Sequence, residues 1–505
     1  MEFYEILTSV TAGILNCLTP EKLLWVVLAS TLGTLIGAIP GLGPNVGVAV
    51  LLPLTFAMDS SLGLLVLIGI YLGCMYGGRI SSILINTPGD AAAVVTCFDG
   101  YPMMQQGRGG VALGISAISS FIGGMIGIII MTFLSPVLAN WALAFGPPEN
   151  FLVMLFSLLA ICSISDTSSA KGLLMIAAGL LFAMVGSDYV SGHLRLTFGI
   201  TEMMDGIDFV PVAVGIFGLS EVFVQIGKKE KLGEGLVRKL DSMFPSRKDL
   251  KEAAKPTLIG TVVGLVVGIL PGAGATISTF AAYGAAKKLS KHPELYGKGS
   301  LEGVAAPEAA NNATVPGALT PMMALGIPGS SVAALIMGGF IVHNLQPGPL
   351  MFQKTPEVAW TIIGGLYIVN VVLMVVNTAM IPVFVYCIRA SEKYLYPLVA
   401  VLCVLGSYTL GYSMFDVLVM VVSGVLGYFM KIGDYPISPF LLALILGPTI
   451  ENTFRLSLIM SEGSYSVFFG STISVVLAVM TIALFVFPFI QLVRQKLQRS
   501  DQQCA

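Results

Sequence analysis

Long apolar runs recur from one end of the chain to the other, and polar positions interrupt them at only a few places. A helix that crosses a bilayer needs about 20 mostly apolar residues, and several runs are near that length. With shorter pieces included, the pattern predicts about 11 to 14 transmembrane or re-entrant helical segments. The clearest runs are 22–39, 61–77, 111–136, 151–165, 171–186, 209–227, 257–270, 358–387, 394–411, 413–430 and 467–490.

Four apolar segments contain glycine and proline breaks, and the breaks occur in two similar pairs. "GAIPGLGPNV" (37–46) resembles "GILPGAGATI" (268–277), and "LINTPGDAAA" (84–93) resembles "ALGIPGSSVA" (324–333). The two pairs keep the same order, at offsets of 231 and 240 residues. We therefore predict an all-α polytopic membrane protein with two homologous repeats, each carrying broken-helix hairpins. We expect the repeats to be inverted and to work in an elevator-like manner, and a parallel arrangement is the alternative.

One long polar stretch, 228–255, divides the chain. It contains nine Lys or Arg residues and five acidic residues, so the positive-inside rule predicts that it lies in the cytoplasm. We accordingly predict an N-terminal transmembrane repeat at 1–227 and a C-terminal transmembrane repeat at 256–493. The basic residues of "RQKLQRS" predict a cytoplasmic tail at 494–505.

The composition of the chain excludes several classes of protein. The chain has 505 residues, of which 55% are hydrophobic and 11% are charged. Soluble domains carry about 25% charged residues, so this is an integral membrane protein in the lipid bilayer, with no soluble domain of useful size. No basic stripe indicates nucleic-acid binding. The seven cysteines are scattered without a CxxC pair, so we predict neither a disulfide framework nor a metal site built from them.

Enzyme motifs are missing, and we predict that the chain is not an enzyme. It contains no HExxH, GxSG or GxGD motif of an intramembrane protease, and no Walker A sequence for ATP. The histidines His193, His292 and His343 are too far apart in sequence to indicate a metal triad. We expect no cofactor.

The breaks themselves indicate a binding site. A helix interrupted in a membrane exposes backbone groups that only protein or a watery cavity can satisfy. Half-helix N-termini suit carboxylates, and freed carbonyl oxygens suit sodium. The candidate substrate-binding residues are Asn45, Arg79, Ser81, Asn86, Thr87, Thr276, Ser278, Ser330 and Ser331. The candidate ion-binding residues are Gly41, Gly43, Asn45, Gly272, Asn311, Asn312 and Thr314.

Each of these residues also has a structural interpretation. The glycines and prolines can serve packing and capping alone. Arg79 and Asp90 are ionisable residues in a strongly apolar region, which favours a functional role. Arg79 can bind a carboxylate through its guanidinium or extend to the membrane interface, and Asp90 can instead cap a half-helix N-terminus. Glu308 can carry a proton or act as a cap. Asn311 and Asn312 can bind sodium or join packed helices by hydrogen bonds.

At these residues the chain resembles the TctA family, the large membrane subunit of tripartite tricarboxylate transporters. The stretches that carry the resemblance are "IPGLGPNVGVAVLLPLTF", "INTPGDAAAVVTCFDGYPM", "APEAANNA" and "LGIPGSSVAALIMGGFIVHNLQPGPLMF", within residues 20 to 490. The resemblance implies that the breaks at 40–45, 86–90, 271–278 and 327–331 line the transport site. Arg79 departs from the small polar residue that many members have after "YGG", so the identity of the carboxylate stays open.

The resemblance also implies partners and a location. It implies import of a small (di/tri)carboxylate, such as citrate, across a bacterial inner membrane by symport with an ion, usually sodium. A small four-helix membrane subunit and a periplasmic substrate-binding protein would complete the transporter. A stand-alone carboxylate carrier or a channel without partner subunits is the alternative, because nothing in this chain resembles a binding-protein domain.

Overall fold

The computed structural model describes residues 3–164, 169–188, 191–227, 242–381, 383–384 and 395–486, which are almost entirely helical. Two short strands, β1 (Gly186–Ser187) and β2 (Leu194–Arg195), pair antiparallel. The helices are α1 (Phe3–Cys17), α2 (Pro20–Ala38), α3 (Pro44–Thr55), α4 (Ser60–Ile85), α5 (Val94–Gln105), α6 (Gly109–Ala142), α7 (Pro147–Ile164), α8 (Ser169–Ala183), α9 (Phe209–Ile226), α10 (Arg247–Ile269), α11 (Gly274–Leu289), α12 (Leu301–Leu325), α13 (Ser331–Val342), α14 (Met351–Lys354), α15 (Pro356–Ala379), α16 (Leu395–Gly411), α17 (Met414–Ile432), α18 (Ile437–Met460) and α19 (Thr472–Val486).

The prediction of an all-α polytopic membrane protein is confirmed. Among the described residues, eight helices are long and apolar enough to cross a membrane: α2, α4, α6, α9, α10, α15, α17 and α18. Shorter apolar helices accompany them. The apolar pattern did not predict α18 as a clear membrane span, because Pro448, Glu451 and Arg455 interrupt it.

The chain forms two compact units. Unit 1 consists of residues 1–140 and 210–428, and unit 2 consists of residues 141–209 and 429–505. All four breaks lie in unit 1. The predicted tail and most of the predicted linker lie outside the described residues, and α10 begins at Arg247, inside the predicted linker.

In the first half of unit 1, α2 and α4 run parallel. Gly33 packs on Ile70 and Gly37 packs on Cys74, so residue numbers rise together along both helices. A Cβ at either glycine would overlap the backbone of α4, and such small residues let membrane helices approach closely. Since α2 and α4 point the same way, α3 between them must return. The first break is therefore the tip of a helical hairpin.

In the second half, α10 and α12 run parallel in the same manner. Gly260 packs on the backbone of Ala306, and Gly264 packs on that of Ala310. The return helix is α11. Lys255, near the start of α10, donates from Nζ to the carbonyl oxygen of Leu289, the last residue of α11, over 2.8 Å. The break at 270–273 is thus also the tip of a hairpin.

The long helices α4 and α12 run in opposite directions. Helix α5 follows the direction of α4, since Gly100 packs on Ile83 near the end of α4. The end of α5 lies beside the start of α12, where Gln106 donates from Nε2 to the Lys298 carbonyl oxygen over 2.8 Å. Helix α12 therefore begins on the membrane side at which α4 ends.

Unit 2 has its own core around α7, α8 and α18. Asp188 and Glu451 form ion pairs with Arg195 and Arg455, at distances of 2.7 to 3.5 Å. Beside this cluster lies a largely apolar cavity of about 400 Å³.

Candidate functional site

The two breaks of each half are joined by one backbone hydrogen bond. The Gly41 N–H donates to the Gly89 carbonyl oxygen over 3.1 Å, and the Gly272 N–H donates to that of Gly329 over 3.0 Å. Gly41 has φ +86° and Gly272 has φ +79°, which is the left-handed region that glycine occupies without strain. Glycine is therefore required at both hairpin tips.

The long helices α4 and α12 both end in a left-handed residue, after which the chain folds back along its own helix. These residues are Asn86, with φ 55°, and Gly326, with φ 73°. The Asn86 side chain is exposed because the residue lies at this turn. The Thr87 hydroxyl donates to the Ile85 carbonyl oxygen over 3.2 Å. Both predicted substrate residues thus lie in a tight turn with a clear structural role.

The N-termini of α3 and α13, one from each half, meet directly. The Ser331 hydroxyl donates to Asn45 Oδ1 over 2.8 Å, and both side chains are half-buried. Ser330 caps α13 by accepting the Ala333 N–H over 3.1 Å. Helix N-termini carry partial positive charge and backbone N–H groups that have no intrahelical partner. The structure therefore brings together three predicted substrate residues where an anion is favoured.

The N-terminus of α5 already holds a carboxylate. Asp90 Oδ1 accepts the Ala93 N–H over 2.9 Å, which is the capping arrangement considered for Asp90. The Asp90 side chain packs against Gly43, so this glycine of the first break leaves space for it. Gly41 and Gly43 therefore shape the hairpin tip, and their role as ion ligands stays a prediction.

Arg79 is completely buried, and its guanidinium bonds to protein atoms. It donates to the Tyr76 carbonyl oxygen over 2.9 Å, to Ser116 Oγ over 2.8 Å and to Asn377 Oδ1 over 3.1 Å. A fourth, longer bond of 3.4 Å reaches the Leu113 carbonyl oxygen. In this conformation the guanidinium joins α4 to α6 and α15 rather than extending to the interface.

Two serines near Arg79 also bond within the protein. Ser81 donates to the Gly78 carbonyl oxygen over 3.3 Å. Ser82 contacts the same oxygen over 2.9 Å and that of Ala93 over 3.0 Å, which ties α5 to α4. The hydroxyl of Ser81 is buried and faces its own helix, so a substrate would have to displace that bond.

In the second half, Ser278 and Thr314 contact each other. The Thr314 hydroxyl lies 2.7 Å from Ser278 Oγ, 2.7 Å from the Ala310 carbonyl oxygen and 3.1 Å from that of Gly264. The predicted substrate residue and the predicted ion residue therefore join α10, α11 and α12 to each other. Thr276 remains half-buried near the tip of the hairpin.

Asn311 and Asn312 are buried, and each has one amide oxygen without a hydrogen-bond partner. Asn311 Nδ2 donates to the Met75 carbonyl oxygen, and Asn312 Nδ2 donates to that of Glu308, both over 3.2 Å. Glu308 is also buried, and its carboxylate accepts hydrogen bonds from Thr96 over 2.6 Å and Ser120 over 3.2 Å. This face of α12 is rich in oxygen atoms.

Sequence reasoning missed Asp99, which has the most hydrogen bonds of any of these carboxylates. Its Oδ1 accepts the N–H groups of Gly297 and Gly299, both over 2.9 Å, and of Ser300 over 2.7 Å. Its Oδ2 accepts the Tyr283 hydroxyl over 2.9 Å. The available signal was an acidic residue in an apolar segment, the same signal that singled out Arg79 and Asp90.

Among the described residues, no three His, Cys, Asp or Glu side chains cluster in a way that could hold a metal ion. The described cysteines Cys17, Cys74, Cys97, Cys162 and Cys403 are all free. Cys387 and Cys504 lie outside the described residues.

Comparison with known proteins gives a consistent result. Residues 23–442 match the model of the tripartite tricarboxylate transporter TctA family. An "Uncharacterized 52.8 kDa protein in TAR-I ttuC' 3'region" of Agrobacterium vitis is 38% identical over 493 residues, covering 97% of this chain and 98% of that protein. An "Uncharacterized protein in TAR-II ttuC' 3'region" of the same organism is 38% identical over 207 residues, covering 41% of this chain and 85% of that protein.

No solved structure matches the chain. The family match nevertheless includes all four breaks, α12 and the Asp99 segment. The resemblance inferred from the broken helices is therefore confirmed: this multi-pass membrane protein belongs to the tripartite tricarboxylate transporter TctA family.

Proposed function

We propose that the chain is the large membrane subunit of a secondary transporter that imports a small di- or tricarboxylate. In this proposal a periplasmic binding protein delivers the carboxylate, a small four-helix membrane subunit completes the complex, and a sodium gradient drives uptake. The protein acts in a bacterial inner membrane, with the linker 228–255 in the cytoplasm. Family membership supports transport and partner subunits, and it supports a role other than that of an enzyme.

The observation that carries the proposal is the contact between Asn45 and Ser331. It joins the N-termini of two short helices from opposite halves, and each N-terminus favours a nearby anion by about 0.3–1 kcal/mol. The carboxylate would bind the backbone N–H groups there, with the Ser331 hydroxyl and the Asn45 amide as neutral donors. Neutral donors hold a carboxylate without an ion pair, so the substrate can also leave.

The arrangement of the helices supports a mechanism of alternating access. Parallel pairing within each half, and the opposite directions of α4 and α12, fit a pair of inverted repeats. We propose that a hairpin tip from each membrane side reaches one central site, and that this site moves or is gated between the two faces. An elevator motion is the preferred version. Sodium and carboxylate would then be coupled by their mutual affinity, typically about 1–3 kcal/mol.

The test is uptake into proteoliposomes that contain this chain with its four-helix partner. Radiolabelled carboxylate, the binding protein and an inward sodium gradient are supplied, and the expected result is saturable accumulation against the substrate gradient. Uptake without the binding protein would favour a stand-alone carrier. Passive, non-saturating flux would favour a channel. Uptake that follows a proton gradient and ignores sodium would contradict the proposed coupling.

A further inference from the structure

One buried face of α12 carries Glu308, Asn311 and Asn312. Two side-chain oxygen atoms on this face have no hydrogen-bond partner. These residues are at positions i, i+3 and i+4, so their side chains emerge on one side of the helix. They are at most 2% exposed. Their contacts reach three other helices, through Met75 of α4, Thr96 of α5 and Ser120 of α6.

The unpaired atoms are oxygens rather than amide nitrogens. Each Nδ2 is already bonded to a backbone carbonyl oxygen, which fixes the orientation of the amide and leaves Oδ1 without a donor. A buried acceptor without a partner is costly, and native proteins usually provide a water or an ion for it. Each of the two asparagines neighbours Glu308 on the helix surface, at i+3 and i+4, which favours one ligand held between their oxygens and its carboxylate.

The charges nearby indicate the sign of that ligand. Glu308 lies within electrostatic range of Arg79 and Asp90, and all three are inside unit 1. When all three are ionised they leave a single uncompensated negative charge in a region of low dielectric, which is unfavourable. One monovalent cation would remove it.

We propose that α12 binds one dehydrated monovalent cation, sodium, through Asn311 Oδ1, Asn312 Oδ1 and the Glu308 carboxylate. Amide and carboxylate oxygens are the hard ligands that such ions take. A proton on Glu308 would cancel the charge but leave both amide oxygens unpaired, whereas a sodium ion would satisfy them together. The inference rests on the proposed function only in naming this sodium as the coupling ion.

The site differs from the ion residues that the sequence indicated. Thr314 has its hydroxyl engaged with Ser278 and two carbonyl oxygens, so it serves packing of α10, α11 and α12. Glu308, which the sequence suggested only as a proton carrier or cap, replaces it as a ligand. Asn311 and Asn312 keep the role that the sequence predicted.

The experiment measures sodium binding without transport. The full chain is purified in detergent, and its unfolding midpoint is recorded as sodium chloride replaces choline chloride at constant ionic strength and pH. We expect the midpoint to rise with sodium and then saturate, because a ligand of the folded state stabilises it. Equal midpoints in sodium and choline would overturn the proposal.

Three variants make the test specific. Asn312→Leu removes an unpaired oxygen while keeping the volume similar, so we expect an unchanged or higher midpoint in choline and a loss of the sodium response. Asn311→Leu should behave in the same way, which protects the test if one variant fails to fold. Asn370→Ala is the matched control, because this buried asparagine has its Oδ1 bonded to the Tyr76 hydroxyl. It should lower the midpoint in both salts and leave the half-maximal sodium concentration within about twofold.

The outcomes separate this inference from the proposed function. Sodium binding that survives both leucine variants would place the ion elsewhere and overturn the inference, even if carboxylate uptake is sodium-driven. If the unfolding midpoint does not respond to sodium and the chain still takes up carboxylate, import is supported and the sodium site on α12 is contradicted. A sodium response lost in both leucine variants, in a chain that moves no carboxylate, would support the site and contradict the proposed function.

Discussion

The N-termini of α12 and α4 use the same packing with different electrostatics. Gly303 in the first turn of α12 makes room for Asp99, and Gly63 in the first turn of α4 makes room for His343. The two glycines are 240 residues apart, the same offset as the second pair of breaks. In each case the inserted side chain comes from the other half of unit 1.

The difference lies in how well each inserted group is satisfied. Asp99 presents an anion to a helix N-terminus and accepts four hydrogen bonds, so charge and dipole agree. His343 Nε2 has no hydrogen-bond partner, and protonation would place a cation at the N-terminus of α4. The comparison suggests that the α12 end is held firmly and the α4 end is held loosely.

Asp99→Ala should have the largest effect. It leaves three backbone N–H groups and the Tyr283 hydroxyl without their acceptor, so we expect a loss of about 3 kcal/mol or more in the free energy of unfolding. Denaturant unfolding of the purified protein measures it. Glu357→Ala, an exposed acid at the start of α15, is the control and should change stability by less than about 0.5 kcal/mol. A small loss for Asp99→Ala would mean that the α12 end is not firmly held.

The two glycines should respond differently to the same substitution. An alanine Cβ at Gly303 would overlap the Asp99 carboxylate, so we expect Gly303→Ala to cost about 1–3 kcal/mol. At Gly63 the Cβ would lie 2.6 Å from His343 Nε2, at the far end of a ring that can move. Gly63→Ala should therefore stay within about 1 kcal/mol of wild type, helped by the helix propensity of alanine. Equal costs in unfolding experiments would remove the distinction between the two ends.

Tyr283→Phe removes one of the four hydrogen bonds of Asp99 and keeps the ring. We expect a loss of about 1 kcal/mol, since the three backbone donors remain. The unfolding of Tyr283→Phe in the Asp99→Ala background is the control, because the hydroxyl has no carboxylate to bond there. The hypothesis predicts a much smaller effect of Tyr283→Phe in that background, and an undiminished effect would contradict it.

The α4 end should be sensitive to pH. Burial lowers the pKa of His343, although Asp59 opposes the shift and Lys22 is the cation that acts on Asp59. The folded state holds the His343 proton less tightly than the unfolded state does. The stability that neutral His343 contributes is therefore complete above about pH 6.5 and is lost as the pH falls. In the His343→Gln variant, the midpoint of unfolding should depend less on pH between about pH 7 and 5 than it does in the wild type. A pH dependence that is the same in His343→Gln and in the wild type would contradict this assignment.

The breaks and their order could be predicted from sequence because glycine and proline mark them locally. Glycine adopts a positive φ without strain because it has no side chain, so the breaks at Gly41 and Gly272 could be recognised without knowledge of their partners. The membrane class followed from the apolar runs and the low charged fraction, and the family followed from the stretches that contain the breaks. By contrast, α18 was missed because Pro448, Glu451 and Arg455 interrupt its apolar run, although partners in unit 2 satisfy both charged residues.

Partners distant in sequence decided the rest. Arg79 is a candidate substrate ligand because a charge in an apolar segment usually has a function, and no local pattern shows its bonds to Ser116 and Asn377, which are 37 and 298 residues away. Asp99 looked unremarkable because its three backbone donors lie about 200 residues away. The unpaired oxygens of Asn311 and Asn312 depend on packing in three dimensions, which no local pattern shows.

We propose that the two halves form one carboxylate site where Asn45 meets Ser331. A double-mutant cycle of Asn45→Ala and Ser331→Ala, read as KM for carboxylate in binding-protein-dependent uptake, tests it most directly. Each single variant should raise KM, and the double variant should lose less than the sum, with a coupling of about 0.5–3 kcal/mol. Unchanged KM in both single variants, or losses that add fully, would contradict a shared site.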